Sequence, residues 1–229
     1  MYTFNTTEPK AGKSMPTPSQ DAIENTLNLR QVTLEDAARY GGSVTRSALG
    51  LLELHGDRKH VIVDTKVHFL MPGMCPSIPG WHTDGVPRGV DLNPGGGDDP
   101  VLDAIFDGTQ TVPRYHLLVT GTLCPTRFIL PEVAFPEEEL LDGGPSSLYA
   151  NMTRMLNEVE WYEDETLDTE DSRMYQWDWH NIHTAQVATA RGWRYLIRVT
   201  ETDYIEPRTN PADFIRTQNN VYTPLEFGW

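Results

Sequence analysis

The chain is short of several things that would fix a class at once. Among its 229 residues there are two cysteines, Cys75 and Cys124, 49 positions apart and with no CxxC partner. That count excludes a disulfide framework and a cysteine-based zinc site, and leaves two reduced thiols as the expectation. No apolar run approaches the roughly 20 residues needed to span a bilayer. Met1 to Gln20 shows no basic-then-apolar leader pattern. A soluble, cytoplasmic protein that does not engage a membrane is the expectation. Basic residues are scarce as well, 18 Lys and Arg against 33 Asp and Glu. A net charge of −15 disfavours tight, non-specific nucleic-acid binding without excluding a nucleotide substrate.

The acidity is concentrated. Thirteen acids and one base, Arg154, lie between Pro131 and Asp171, so this stretch carries −12 of the −15. Such a run reads as a solvated face or loop. Apolar residues make up 38% of the chain and six are tryptophan, enough for a packed core.

Residues 1–20, rich in Thr, Pro, Lys and Ser, read as an N-terminal arm that is loosely ordered or docked on the surface. Residues 21–229 read as a single domain, with loop insertions at 72–100 and 131–171. Thr33-Leu34-Glu35-Asp36 predicts a helix N-terminus, and Gly41-Gly42 interrupts its continuation, so one helix and two shorter ones both fit. HVIVDTKVHFL, from His60, predicts a strand that ends before Pro72-Gly73. Strand character returns over Tyr115 to Leu130, a helix is expected over Ser147 to Glu158, and Met174 to Thr200 contains two strand-like runs around Ala190-Arg191-Gly192. The tract NPGGGDDP, Asn93 to Pro100, reads as a mobile loop tip. There is no internal repeat. The order predicts a mainly β protein with supporting helices (α+β), built as a barrel or jelly roll.

The chemistry-bearing constellation starts at Trp81-His82-Thr83-Asp84. Residues two apart on an extended segment point to the same side, so His82 and Asp84 can present a nitrogen and an oxygen to one point. With a further histidine they make the two-His, one-carboxylate facial set of non-haem Fe(II) oxygenases. The second histidine is sought in Trp179-His180-Asn181-Ile182-His183. His183 lies 99 positions after Asp84; His180, two after Asp178, stays open as the alternative. Beyond His183, Arg194 and Arg198 share a strand face, and a buried arginine needs an anion.

This pattern, a proline-rich lead into HxD, a distal His and an Arg eleven or fifteen positions on, resembles the Fe(II)/2-oxoglutarate-dependent dioxygenase superfamily. The matching stretches are Val61 to Arg88 and Tyr175 to Thr200, about a quarter of the chain. The resemblance implies a double-stranded β-helix (jelly-roll) core. It implies Fe(II) held by His82, Asp84 and His183, with Arg194 or Arg198 binding the far carboxylate of the cosubstrate 2-oxoglutarate. It also implies O2-dependent, hydroxylase-type oxidation of a small-molecule, nucleotide or protein side-chain substrate, with release of succinate and CO2. A cupin-like metal enzyme that does not use 2-oxoglutarate and a non-catalytic jelly-roll binding protein remain as other readings. Arg88, Arg114 and Arg127 read as surface charges, and His55, His60, His68 and His116 as structural. Trp81, Trp177, Trp179 and Trp193 read as core.

Overall fold

A computed structural model describes residues 1–77, 79–84, 106, 108, 111–121, 124–144 and 147–203. Its spine is a pair of eleven-residue antiparallel strands, β4 (His60–Leu70) and β11 (Gly192–Thr202), matched from Gly192 opposite Leu70 to Thr202 opposite His60. Both are rich in β-branched and aromatic residues, which suit a pleated, two-sided surface. They lie within a six-stranded antiparallel sheet of order β2-β9-β5-β11-β4-β3, completed by β2 (Lys10–Ser14), β3 (Leu29–Thr33), β5 (Arg114–Thr120) and β9 (Arg173–Asp178). A small antiparallel sheet has the order β10-β6-β8, from β6 (Thr126–Ile129), β8 (Thr166–Asp168) and β10 (His183–Ala185). His82 extends it through a bridge to His183. A third pair joins β1 (Tyr2–Phe4) to β7 (Val133–Phe135).

Strand alternation decides what each face of the large sheet meets. From β11, Tyr195, Ile197 and Val199 enter a core with Ile23 of α1 (Gln20–Glu24), Ala37 of α2 (Leu34–Tyr40), and Val44 and Ala48 of α3 (Gly42–Leu49). The opposite face points at the small sheet, where Tyr115, Leu117, Val119 and Trp177 pack on Phe128 of β6. Arg194, Leu196 and Arg198 share that second face and line a cavity between the sheets. Along the chain the strands shuttle between the sheets. β4 is in the large one, the His82 segment in the small, β5 large, β6 and β8 small, β9 large, β10 small, β11 large.

The helix at Thr33 is capped as predicted, its hydroxyl accepting from the Asp36 N–H at 3.1 Å, and the chain breaks at Gly41-Gly42 into α2 and α3. The strand from His60 and the helix α5 (Leu148–Asn157) also stand where they were expected. Three readings need correction. Residues 1–20 are not a loose arm: Tyr2 and Phe4 are buried in β1, and β2 forms an edge of the large sheet. β1 is too short to show a period, and all five residues of β2 are exposed, so neither carries an apolar signature. The 131–171 stretch is not merely a loop. It holds β7, α4 (Glu137–Leu140), α5 and β8, anchored by buried Leu140, Leu148, Met152 and Leu156 while its acids face outward. Met174 to Thr200 contains parts of three strands, not two, because β10 is a three-residue element flanked by turns. The NPGGGDDP tract lies outside the described residues. Among the described residues no helix is long and apolar enough to cross a membrane.

Candidate metal centre

His82 and His183 face each other across the edge of the small sheet. Their backbones exchange two hydrogen bonds, His82 N–H to His183 O at 3.0 Å and His183 N–H to His82 O at 2.9 Å. Their ring centroids are 4.7 Å apart. Each imidazole has its tautomer set by a carbonyl, which can only accept. His82 Nδ1 lies 2.9 Å from Gly80 O and His183 Nδ1 lies 3.0 Å from Asn181 O. Both Nδ1 atoms therefore carry the proton, and both Nε2 lone pairs point away from these anchors. Asp84, two residues beyond His82, completes the group: one ligand atom from each of His82, Asp84 and His183 lies within 4.8 Å of the others.

Local sequence explains the loop that carries two of the three. Gly80 has φ +117°, and a Cβ there would sit 2.7 Å from the Thr153 hydroxyl of α5. That hydroxyl donates to Trp81 O at 3.2 Å, and Tyr149, also on α5, meets the Thr83 hydroxyl at 3.3 Å. The helix inside the acidic stretch thus clamps the ligand segment from one side.

Asp84 is held from the other. Its Oδ1 accepts from Arg198 Nη1 at 2.6 Å, its Oδ2 lies 3.6 Å from His183 Nε2, and its backbone carbonyl accepts from the Tyr115 hydroxyl at 2.7 Å. Burial alone would raise the Asp84 carboxyl, but Arg198 and the two histidines outweigh it, and the group is held below the usual carboxylate range. Burial drives His183 down to about 4, against the opposing pull of Asp84, so its imidazole is neutral at physiological pH. The neutral His183 imidazole, the Nε2 of His82 and the ionised Asp84 carboxylate form a ready N2O donor set.

The two arginines separate cleanly. Arg198 is committed to carboxylates, Asp84 at 2.6 Å and Asp64 at 3.5 Å, and these raise its pKa despite burial. Arg194 is 1% exposed, its Nε donates to Cys124 O at 3.1 Å, and its Nη1 is buried with no hydrogen-bond partner among the described residues. Among the described residues it makes no ion pair with a carboxylate, and burial depresses its pKa. Arg194 lines the same cavity of about 290 Å³ as His82, Asp84 and His183. The Trp177 indole Nε1, on the same lining, is also buried without a partner. The backbone of β5 ends beside Arg194 at Gly121, φ +107°, where a Cβ would strike Trp193 O at 2.5 Å.

His180 stands apart from the three ligands. Its ring contacts Phe106 and Trp179, and its Nδ1 lies 3.3 Å from Asp178. The turn from Asp178 to His183 is stapled by the N-terminal segment: the Asn5 side chain accepts from the Ile182 N–H at 2.8 Å, and Asn181 donates to Thr7 O. Arg127 forms a partly exposed two-pronged pair with Asp168, at 2.7 and 2.6 Å, and Arg114 pairs with Asp57 and Glu201. Arg88 lies outside the described residues. The His116 Nε2–H donates to the carboxylate of buried Glu201 at 2.9 Å, remote in register from Arg194. Cys75 and Cys124 are free and buried.

Comparison with protein families, curated proteins and solved structures yields no match. Several residues of the site had not been singled out from sequence, among them Arg30, Gln31, Asp64, Lys66 and Tyr115. Asp64 and Lys66 did leave a signal, two charges of one parity inside a strand rich in Val, Ile and Phe.

Proposed function

We propose that the protein is an Fe(II)- and 2-oxoglutarate-dependent oxygenase with a double-stranded β-helix core. One observation carries the reading most: a fully buried guanidinium with an unpartnered Nη1 lines the same cavity as a His/Asp/His cluster. A buried cation without a counter-ion is costly, and an incoming carboxylate that bonds to it removes that cost. The strand order supports the same reading, because the chain alternates between two facing antiparallel sheets and carries its ligands on the small one.

In this reading His82, Asp84 and His183 would hold the metal through two imidazole nitrogens and one carboxylate oxygen. Bound together, Fe(II) and 2-oxoglutarate supply O2 activation coupled to release of succinate and CO2, and the oxidised substrate takes up the other oxygen atom. The chain's own residues orient and protect. Arg194 binds the far carboxylate of the cosubstrate in a water-poor pocket. Gly80 O and Asn181 O keep the imidazoles aimed. Arg198 holds one Asp84 oxygen so that the other is available to the metal, and Tyr115 fixes the backbone of that residue. Leu117, Trp177 and Leu196 keep the floor apolar.

The test is succinate formation from 2-oxoglutarate by the Fe(II)-loaded protein in air, compared with His82→Ala and Arg194→Met. Turnover by the wild type that both variants lose supports the oxygenase. Metal uptake without succinate in any condition contradicts it, and favours a metal enzyme of cupin type that does not use 2-oxoglutarate.

A further inference from the structure

The cavity lining carries four cations, Arg30, Lys66, Arg194 and Arg198, more than one cosubstrate needs. Lys66 lies on β4 directly opposite Leu196, so its side chain shares the cavity face with Arg194 and Arg198. Asp64 and Asp84 both engage Arg198. Among the described residues no carboxylate is left within ion-pair distance of Lys66 or of Arg194. The two differ in depth. Arg194 Nη1 is sealed from solvent, whereas Lys66 is half-buried on the wall that leads from β4 to β3. Burial first, and then the like charge of Arg198, lower its pKa.

That wall is unusually built. β3 loses register with β4 between Leu29 and Val32, and Gln31 takes φ +51°, a conformation that a residue with a side chain adopts only when its surroundings impose it. The surroundings do so here. The Gln31 N–H donates to Asp64 Oδ1 at 3.0 Å, Leu29 N–H to the Thr65 hydroxyl at 2.8 Å, and Val67 N–H to the Asn28 side chain at 2.6 Å. A bulge re-aims side chains, and this one puts Arg30 and Gln31 on the cavity lining beside Lys66.

We infer that the wall formed by Lys66, Arg30 and Gln31 is the subsite for the molecule that is oxidised, and that this molecule is small and carries a carboxylate or phosphate oxyanion. The inference rests on the oxygenase reading, which assigns the deeper cation, Arg194, to 2-oxoglutarate. Two cations without an ion-pair partner among the described residues then call for two anions, and with Arg194 given to 2-oxoglutarate the more accessible Lys66 is left for the molecule that is oxidised. A volume of about 290 Å³ sits at the small end of ligand pockets, which disfavours a folded macromolecular segment as occupant.

Calorimetric titration of the full chain, loaded with Mn(II) and saturated with 2-oxoglutarate, tests this with three probes: butyrate, glycerol phosphate and neutral butyramide. One of the two anions is expected to bind, with butyramide weaker by about thirtyfold, and Lys66→Met to abolish that preference while Lys66→Arg retains it. The anion that binds identifies the headgroup. 2-Oxoglutarate affinity is expected to change less than about threefold in Lys66→Met, which also reports that the variant is folded. The inference is overturned if butyramide binds as well as the anions, if neither anion binds, or if Lys66→Met weakens 2-oxoglutarate instead. Failure of the wild type to bind 2-oxoglutarate, with Lys66-dependent anion binding intact, sinks the oxygenase reading and leaves the anion subsite standing.

Discussion

Arg198 and Asp84 divide one carboxylate between two tasks: Oδ1 is bonded to the guanidinium at 2.6 Å, and Oδ2 lies 3.6 Å from the Nε2 of His183. The arginine is thus a positioning residue for a metal ligand. Arg198→Met is expected to lower Fe(II) affinity by about 10- to 100-fold, the usual cost of losing a partner of a ligand. Asp84→Asn should lower it further, because the ligand charge itself is lost. Competitive titration against a metal chelator measures both, and equal affinity in wild type and Arg198→Met would remove the assigned role.

Arg194 should behave in the opposite sense for stability and for binding. Its buried guanidinium, with no carboxylate partner among the described residues, burdens the ligand-free fold, so Arg194→Met is expected to leave the melting temperature of the metal-free protein unchanged or raised. The same variant should lose about 100-fold in 2-oxoglutarate affinity through the missing charge-assisted bonds. A destabilised variant that still binds 2-oxoglutarate would mean that the arginine is structural.

The N-terminal segment should matter to the metal although it supplies no ligand. Asn5→Ala removes the acceptor of the buried Ile182 N–H, at a cost of about 1–3 kcal/mol. It also loosens the turn that delivers His183. Denaturant unfolding and Fe(II) titration should both register the change, and truncation of residues 1–9 should enlarge it. Unchanged metal affinity in both variants would detach the segment from the site.

Much of this was legible in sequence, and what was not has physical reasons. His82 and Asp84 could be paired because residues two apart on an extended strand share a side. His183 and the spacing to the Arg-bearing strand could be read through the family resemblance of the distal motif. The choice between Arg194 and Arg198 could not, because it depends on which acids lie across the sheet. Register alone puts Asp64 opposite Arg198 and His68 opposite Arg194. β1, β2 and β10 were missed or blurred because three-residue strands and a fully exposed edge strand carry no period. Lys66 and Asp64 were not singled out, because the sequence of a strand does not say which of its faces is enclosed.

Acid should destabilise the metal-free protein in a defined window. His183 titrates near 4 in the fold and near its ordinary 6.5 when unfolded. Between these values the unfolded chain binds a proton that the folded one refuses, so stability falls as pH drops from about 6.5 to about 4. The full effect is about 3 kcal/mol from this residue. Asp84, held below its usual value, adds a loss at still lower pH. Urea melts across this range should show the decline, and His183→Gln should flatten it; an equally steep decline in the variant would place its source elsewhere.

The most direct test of the central claim is an anaerobic titration of the metal-free protein with Fe(II) and then with 2-oxoglutarate, monitored in the visible region. The account predicts a saturable charge-transfer band of the chelated pair that is absent in His82→Ala and in His183→Ala, and that forms only at much higher 2-oxoglutarate in Arg194→Met. Stoichiometric iron binding without any such band in the wild type would contradict it.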